Sequence, residues 1–588
     1  MKTRYLYLIP IVSVLLSGCN DFLDRFPYDE VSSNTVYTSP TLAESAVIGA
    51  YSNIAYDYTS ADLDRINWDA FAGVIDPHYD VFYSNYTYLN GNARPNNGIF
   101  STYWKRLYEG INRANDVISN IGGVAGMDED LKARRIAECR FLRAWHYYRL
   151  NCLWGGVPVY DRNLAPSEYT RGRSTQNQVW DFIIEDLTRC IETESLPDKY
   201  ASSSADFGRI TKGAAYALRG KVYMWKKMWA EAEADLRQVS LCGYGLLKKD
   251  YADVFKLANE TSDEIIFSAR MEEQSGHGNA FSRSYGSWQV AGKGGNNTFF
   301  MNQKFVDSYQ TADGKDFDWD DWLPDYSSLT PEQRSVYFLR DGMTATEIDK
   351  MAAYGADMSR YLPSGNESRL LAAFNARDPR LLATVITPYS KYSGGFYGSA
   401  KEYTRRWPFR DDNDTWCDIK TKANTNFFYT IRKFVTVGLE CTNETFNPVD
   451  VPIIRYAEVL IDLAETMCEQ NRLDEAVGYL NQVRERAGIG LYNSGDPELA
   501  VTDVQDLRNR IYNERRWELA CEEVLYYDEL RQGTWKSFRF SEGNGLCEPW
   551  GTPAYLDQWG GNEYELWPIP SSEAEMNRNL EQNPGWMN

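Results

Sequence analysis

The chain has 588 residues, with 62 Lys and Arg against 83 Asp and Glu, which gives a formal net charge of −21. This acidic excess argues against nucleic acid or an anionic membrane surface as a partner. The 41 tyrosines and 18 tryptophans outnumber the 25 phenylalanines. Since Tyr and Trp combine a flat apolar face with a polar group, their excess favours a binding surface.

The first feature in chain order is an N-terminal targeting segment. Two basic residues precede a mainly apolar run, Tyr5 to Leu16, which is too short to cross a membrane comfortably. The motif Leu-Ser-Gly-Cys follows and ends at Cys19. This pattern is typical of a bacterial lipoprotein signal, so we expect residues 1–18 to be removed and Cys19 to carry several acyl chains as an anchor.

Helical periodicity and end signals predict a helical frame in two parts, one in each half of the chain. The predicted helices of the first part span residues 39–55, 102–120, 129–153 and 174–194. The third of these should stop at Gly155, before Pro158. Roughly 200 residues then lack sustained periodicity and are rich in Gly, Asn, Asp and aromatic residues, so we expect loops and short strands there.

The clearest periodicity lies between Ile453 and Gly488. Small and apolar residues recur there at spacings of three and four on two helices: Ala457, Ile461, Ala464, Met467, Ala476, Leu480, Val483 and Ala487. Asn471 is suited to a left-handed turn between the two helices, and Gly488 is suited to cap the second one. The segment therefore predicts an antiparallel helical hairpin with one buried seam.

An earlier segment repeats this hairpin. Aligning Gly220 with Ala464 places Leu236 over Leu480, and the surrounding small and large residues follow the same order. This order resembles the tetratricopeptide helix pair, in which small residues let two helices approach closely.

Six motifs are spread over nearly the whole mature chain: IAECRFLRAWHYYRLNCLWGGVPV (Ile136 to Val159), GRITKGAAYALRGKVYMW (Gly208 to Trp225), DEIIF (Asp263 to Phe267), FNARDPRL (Phe374 to Leu381), IYNERRWELACEEVLYYDELRQGTW (Ile511 to Trp535) and LWPIPSSEAEMNRNLEQNPGWMN (Leu566 to Asn588). In this order they resemble the motifs of the SusD/RagB family of outer-membrane lipoproteins. The chain departs from the family after ERRWEL, where a glycine and an aromatic residue are usual and Glu522 and Glu523 stand here.

The resemblance implies an all-α fold. It would consist of tetratricopeptide-like helical hairpins in a single large domain, with long loop-rich insertions and a few short strands. Residues 19–225 would form the N-terminal SusD-like part and residues 226–588 the C-terminal SusD/RagB part.

The resemblance also implies a function. The protein would capture an oligosaccharide or polysaccharide on the outer face of the outer membrane and deliver it to a SusC-like TonB-dependent transporter, without catalysis and without a cofactor. A RagB-like peptide-binding protein, or a purely structural lid of such a transporter, is the alternative.

Three aromatic stretches are candidates for ligand contact: Asp76 to Gly98, which lacks a helical pattern, the Gly-rich surroundings of Trp288, and Asp316 to Tyr326. In the family, the segment ahead of the helix that contains Trp104 often supplies part of a glycan site. The residues that we single out are Tyr79, Tyr83, Asn85, Tyr86, Trp288, Trp319 and Trp322. Aromatic faces suit the C–H patches of a sugar ring, and amides and carboxylates bind its hydroxyls. The alternative is that each aromatic residue only anchors a long loop on the helical frame.

The motifs of common enzymes are absent from the sequence. It contains no GxSxG elbow, no HExxH helix, no GxxxxGK[ST] loop and no GxGxxG after a predicted strand. His78, His146 and His277 are the three histidines, and neither their spacing nor any CxxC pair predicts a zinc site. We therefore expect no metal centre. A glycosidase needs only two carboxylates across a cleft, and the 83 acidic residues leave such a pair open. That the protein is not an enzyme is what the family resemblance implies.

Two minor alternatives stay open. Most cysteines after Cys19 have core-like neighbours and are interpreted as buried, but a disulfide among Cys417, Cys441 and Cys547 is compatible with an oxidising compartment. The aspartates of the Asp316 to Tyr326 stretch resemble the start of a calcium loop, although this loop lacks the glycine and the closing glutamate that calcium loops require.

Overall fold

The structure of this chain is a computed structural model that describes residues 33–59, 66–78, 84–286, 298–396, 399–408, 427–435 and 446–587. Within these residues α-helices dominate, and eight short strands form four separate antiparallel pairs. The predicted all-α class with a few short strands is confirmed. Residues 1–18 and Cys19 lie outside the described residues.

The helices, in chain order, are α1 (Ser33–Val36), α2 (Pro40–Thr59), α3 (Trp68–Phe71), α4 (Ser84–Leu89), α5 (Gly98–Asn120), α6 (Glu129–Trp154), α7 (Gln176–Glu192), α8 (Lys212–Trp225), α9 (Trp229–Leu241), α10 (Phe281–Tyr285), α11 (Gln303–Asp307), α12 (Pro331–Arg334), α13 (Ala345–Tyr354), α14 (Asn366–Asn375), α15 (Pro379–Thr384), α16 (Tyr456–Glu469), α17 (Leu473–Ala487), α18 (Val504–Leu519), α19 (Leu525–Gln532), α20 (Trp535–Arg539) and α21 (Ser571–Met576). No helix among the described residues is long and apolar enough to cross a membrane.

The strands form two-stranded pairs between segments that are distant in the chain, with one exception, the hairpin of β5 and β6. In chain order they are β1 (Ile75–Pro77), β2 (Ile265–Ala269), β3 (Phe299–Met301), β4 (Val385–Ile386), β5 (Lys391–Phe396), β6 (Ser399–Thr404), β7 (Thr430–Ile431) and β8 (Val451–Arg455). The pairs are β1 with β3, β2 with β8, β4 with β7, and β5 with β6. β8 leads directly into α16, so the pairing of β2 with β8 ties the middle of the chain to the start of the C-terminal hairpin.

Local chemistry determines the helix ends that the sequence predicts. The carboxylate of Asp128 accepts a hydrogen bond from the Leu131 amide at 3.0 Å and caps α6. The same helix ends at Gly155, which has a left-handed backbone with φ of 66°. α5 begins four residues earlier than predicted, because its first turn buries Ile99 and Phe100 against the core.

The C-terminal hairpin of α16 and α17 has the predicted seam. All eight of its predicted seam residues are buried. Asn471 adopts the left-handed conformation with φ of 60°, and Gly488 caps α17 with φ of 76°. The periodicity and the turn chemistry together were therefore sufficient to predict this element.

The earlier hairpin of α8 and α9 packs against α16 and explains one small residue. A methyl group added to Gly220 would lie 2.8 Å from Cγ of Leu236. A glycine at this position therefore lets α9 approach α8 more closely than an alanine would. This agrees with the predicted role of small residues, while the tetratricopeptide likeness of the whole frame stays a prediction.

The C-terminal motif closes the core against α6. The indole nitrogen of Trp154 donates a hydrogen bond to the carbonyl oxygen of Pro568 at 2.8 Å, and the Asn583 amide donates to the Trp154 carbonyl oxygen at 3.0 Å. The ring of Trp567 lies 5.3 Å from that of Trp154 and 5.6 Å from that of Trp68. Residues from both ends of the chain thus belong to one hydrophobic cluster.

The ERRWEL motif lies at the end of α18 in a buried ionic cluster. Glu518 accepts hydrogen bonds from Arg455 at 2.7 Å, from Arg380 at 3.0 Å and from Arg486. Burial alone would raise the pKa of Glu518, but these three guanidinium groups hold it well below its usual range. Breaking such a cluster leaves an uncompensated buried charge, so these residues serve the scaffold.

The departure from the family after ERRWEL has a structural account. Cys521 and Glu523 both adopt positive φ, 67° and 63°, which is uncommon for residues other than glycine. Between them, the Glu522 carboxylate accepts hydrogen bonds at 2.6 Å from both Arg455 and Lys433. The turn therefore directs Glu522 into the ionic cluster, and these contacts offset the cost of its backbone conformation.

Candidate functional site

The pairing of β1 with β3 brings together the residues at which two of the three candidate stretches attach. Pro77 of β1 lies opposite Phe299 of β3, and the His78 amide donates a hydrogen bond to the carbonyl oxygen of Thr298 at 2.8 Å. The first stretch continues from His78 into residues 79–83, and residues 287–297, which include Trp288, end at Thr298. These two segments lie outside the described residues, but their attachment points are hydrogen-bonded neighbours.

The described residues that follow a third segment, residues 409–426, bond to the same pair of strands, β1 and β3. The Met301 amide of β3 donates a hydrogen bond to the carbonyl oxygen of Tyr429 at 3.0 Å, just ahead of β7. Phe427 is the first described residue after residues 409–426. The sequence of that segment includes Trp416 among aspartates and asparagines. Sequence reasoning overlooked Trp416, although aromatic residues beside carboxylates were the signal used for the stretch Asp316 to Tyr326.

A small hydrophobic cluster underlies these attachment points, and we call it the aromatic base: His78, Phe300, Phe428, Leu546 and Tyr555. The rings of Phe300 and Phe428 lie 4.9 Å apart, and His78 lies 5.8 Å from Phe300. The hydroxyl of Tyr555 donates a hydrogen bond to the carbonyl oxygen of Pro77 at 2.7 Å. Because Phe300, Phe428 and Leu546 are buried, the aromatic base supports the attached segments and does not itself offer a large exposed face.

Charged groups hold β1 in position beneath the aromatic base. The buried Asp76 accepts hydrogen bonds from Arg539 at 2.7 Å and from Asn302 at 2.9 Å. Arg539 also donates to Asp557 at 3.0 Å. Burial raises the pKa of Asp557 to about 7, although Arg539 opposes this effect. β1 is thus fixed by bonds that reach residues far away in the chain.

Glu548 binds Phe427, the first described residue after residues 409–426. Its carboxylate accepts hydrogen bonds from the Phe427 amide at 3.0 Å and from the Tyr354 hydroxyl at 2.8 Å. Burial raises the pKa of Glu548 to about 7, and the hydrogen bonds only partly oppose this. This carboxyl therefore holds Phe427 next to the end of α13.

The structure places the first-stretch residues only in part. Tyr79 and Tyr83 lie outside the described residues, and Asn85 and Tyr86 lie on α4, where their side chains are outside the described part of the structure. The stretch was expected to lack helix, and α4 corrects this. Its last turn is stabilised by tertiary packing, since the Tyr88 hydroxyl donates to the carbonyl oxygen of Tyr564 at 2.8 Å.

Trp319 is not an exposed ring. Only 7% of it is accessible, and its ring lies 4.9 Å from that of Phe317, 5.2 Å from that of Tyr326 and 5.6 Å from that of Phe374. The expectation of a sugar-binding face at Trp319 is therefore corrected, because aromatic neighbours cover it. Trp322 is partly buried against the same core, and its role in ligand contact stays a prediction.

The aspartates of that third stretch bond to their own backbone. Asp318 accepts a hydrogen bond from the Asp320 amide at 2.9 Å, and Asp320 accepts one from the Ser327 amide at 3.0 Å. Among the described residues, no group of three His, Cys, Asp or Glu side chains is arranged to hold a metal ion. Cys547 is buried with a free thiol, while Cys417 and Cys441 lie outside the described residues.

Comparison with known proteins gives consistent matches along the chain. A family model described as the SusD family matches residues 263–586, and one described as "Starch-binding associating with outer membrane" matches residues 21–224. SusD-like protein P25 of Formosa agariphila is 27% identical over 88% of this chain and 87% of its own length. The starch-binding protein SusD of Bacteroides thetaiotaomicron is 24% identical over 78% of this chain and 74% of its own length.

Solved structures show the same fold. A SusD-like protein from Bacteroides fragilis superposes with a TM-score of 0.73 at 22% identity, over 96% of this chain and all of the other. A SusD-like carbohydrate-binding protein from the same species superposes with a TM-score of 0.70 at 21% identity, over 93% of this chain and all of the other. At these identities the likeness establishes the architecture alone.

Proposed function

The chain belongs to the SusD family, and from this membership we propose that it is a cell-surface lipoprotein that captures an oligosaccharide or polysaccharide and delivers it to a SusC-like TonB-dependent transporter. The observation that carries the proposal is the match of residues 21–224 to the model described as starch-binding and associated with the outer membrane. Cys19 is the proposed lipid anchor. The protein acts by binding, without turnover of the glycan.

We further propose that the ligand contacts the segments attached to the aromatic base. Tyr79, Tyr83 and Trp288 belong to segments whose attachment points, His78 and Thr298, are hydrogen-bonded to each other. Asn85 and Tyr86 follow on α4. Ring faces would stack on the C–H patches of sugar units, while the asparagine amide would bind hydroxyls. Trp322 is kept as an outlying candidate.

The test is a binding panel with the mature protein in detergent. Soluble starch and other soluble polysaccharides are the ligands, and basic peptides are the control that represents the RagB-like alternative. We expect saturable binding to at least one polysaccharide and none to the peptides. Binding to peptides alone would overturn the proposal in favour of a peptide-capturing lipoprotein.

Single substitutions then test the location. Tyr83→Ala and Trp288→Ala should each weaken polysaccharide binding by about 1 to 3 kcal/mol, the contribution of a well desolvated ring. Trp229→Ala is the matched control, because this partly exposed tryptophan lies on α9, which packs against α8 and α16. Equal losses in all three variants would place the glycan elsewhere.

A further inference from the structure

A cleft lies along α5, between the segment that follows α6 and the C-terminal helix α21. Its volume of about 510 Å³ falls in the range of small-molecule sites. A row of four aromatic rings forms its wall: Trp104, Tyr108, Tyr160 and Tyr169. The centroids of successive rings are 5.0, 5.7 and 5.1 Å apart. Trp319 and Trp322, the two candidate residues whose side chains the structure describes, do not line it.

Hydrogen bonds hold these rings in place without a ligand. The hydroxyl of Tyr108 donates to the carbonyl oxygen of Pro158 at 2.8 Å, and that of Tyr160 donates to the carbonyl oxygen of Tyr169 at 3.2 Å. The Asn115 amide donates to the Tyr160 carbonyl oxygen at 3.0 Å. A ligand would therefore enter a preformed wall and lose little binding free energy to ordering the protein.

Polar groups converge on the open side of the row. Asn112 is exposed on α5, and its amide makes one hydrogen bond to the described residues, in which Oδ1 accepts from the Tyr169 hydroxyl at 3.5 Å. Its Nδ2 therefore remains free to donate to a ligand. Glu573 of α21 is half-buried and lines the cleft. Its carboxylate offers acceptor oxygens to a sugar hydroxyl.

The charge of the cleft is close to balanced. Lys105 and Glu109 lie on its rim with their charged groups 3.8 Å apart. Glu573 is the remaining acid, and burial raises its pKa. A cleft with so little net charge in a protein with a charge of −21 suits a neutral polar ligand better than a basic peptide.

We propose that this cleft is a second saccharide-binding site, separate from the segments attached to the aromatic base. Tyr169, 38% exposed, and the accessible edge of Tyr108 would contact the C–H face of a sugar unit, and Asn112 and Glu573 would bind its hydroxyls. The inference rests on the proposed function for the class of ligand. It also gives a binding role to the C-terminal motif, because Glu573, Asn577 and Leu580 all line the cleft.

Hydroxyl-radical footprinting of the mature protein in detergent tests this site independently of the first. The probe is maltohexaose at millimolar concentration, with a neutral hexapeptide as the comparison. We expect maltohexaose to protect Tyr108 and Tyr169 from oxidation. If maltohexaose protects the proteolytic fragments of the protein that contain Tyr83 or Trp288 but leaves Tyr169 unprotected, the second site is overturned and the proposed function stays intact.

The reverse result would support the second site and count against the proposed binding face. Maltohexaose could protect no residue while the protein binds another polysaccharide of the panel. In that case the experiment is repeated with a hexasaccharide of that polysaccharide. If Tyr169 is then unprotected, the inference is overturned. Protection of Tyr169 by the hexapeptide alone overturns it in favour of a peptide site.

Substitutions at the rim of the cleft supply the second measurement. Asn112→Ala should raise the maltohexaose concentration that half-protects Tyr108 about fivefold, the loss of one net hydrogen bond. Tyr169→Ala should raise it further, whereas Tyr169→Phe, which keeps the ring, should change it less. Ser167→Ala, an exposed neighbour that does not line the cleft, is the control. Unchanged protection in Asn112→Ala and Tyr169→Ala, with unchanged melting temperatures, would contradict the site.

Discussion

The indole of Trp319 is enclosed by Phe317, Tyr326 and Phe374, with 7% of the residue accessible. Replacement of Trp319 should therefore lower the free energy of unfolding rather than weaken polysaccharide binding directly. We expect Trp319→Ala to lower the free energy of unfolding by about 3 to 5 kcal/mol, the usual cost of removing a buried aromatic side chain. Thermal unfolding and polysaccharide binding of the same preparation would be measured together.

Trp322→Ala is the matched comparison, because this neighbouring tryptophan is only partly buried. It should cost less stability than Trp319→Ala. A Trp319→Ala variant that melts like the wild type but binds glycan more weakly would show that the ring contacts ligand after all.

Glu548 makes stability depend on pH, and the sign follows from its burial. Burial raises the pKa of Glu548 to about 7, whereas the pKa of a glutamate in the unfolded chain is about 4.3. Between these values the folded protein holds a proton that the unfolded chain has lost, so stability falls as pH rises through this window. Glu548→Gln stays neutral, so its free energy of unfolding relative to the wild type should rise by up to about 3 kcal/mol from about pH 4 to about pH 8.

Urea unfolding of both proteins at several pH values would measure this difference. The exposed Glu575→Gln is the control and should follow the wild type throughout. A constant difference between Glu548→Gln and the wild type would mean that Glu548 has the same pKa in the folded protein as in the unfolded chain.

The two helical hairpins offer a paired test of close helix approach. A methyl group on Gly220 of α8 would meet Leu236 at 2.8 Å, whereas one on Gly478 of α17 has no neighbour within 4 Å. Gly220→Ala should destabilise the protein by about 1 to 3 kcal/mol through overpacking, in spite of the better helix propensity of alanine. Gly478→Ala should stabilise it by about 0.5 to 1 kcal/mol.

The measurement is the urea midpoint of each variant. Opposite shifts are expected for the same chemical change at two helix positions, one that meets its partner helix and one that has no neighbour within 4 Å. If both variants became more stable, α8 and α9 would be farther apart than the structure has them.

For the protein as a whole, the anchor and the body should be separable. The acidic, turn-prone residues 20–32 lie between Cys19 and α1, so we propose that they tether the body to the lipid. Cys19→Ser should leave the melting temperature unchanged and move the protein from the membrane fraction to the soluble fraction. A variant that stays with the membrane would refute the lipid anchor.

The proposed delivery of the glycan requires a partner transporter, and this gives a last test. We expect the native protein to co-purify in mild detergent with a TonB-dependent transporter of the outer membrane, through an interface that does not need the glycan-contacting rings. Trp288→Ala should therefore co-purify as well as the wild type. Recovery of the lipoprotein alone, still able to bind glycan, would favour a stand-alone surface binder.

The sequence by itself determined the helical frame and the family. Helix periodicity, the stop at Gly155, the left-handed Asn471 and the terminal Gly488 act within one or two turns of chain, so they can be recognised without knowing the fold. The motifs at Ile511 to Trp535 and Leu566 to Asn588 were sufficient for the resemblance that the family models confirm.

Only the tertiary structure decided which aromatic residues are covered and which segments meet. Asp76 and Asn302 are 226 positions apart, yet their hydrogen bond helps hold β1 beside β3 and so brings together the attachment points of two candidate stretches. Trp319 carries the same local signal as an exposed ring, and its burial depends on Phe374, a distant residue in α14. Local sequence cannot encode such contacts, because burial and proximity arise from packing between elements that the chain separates widely.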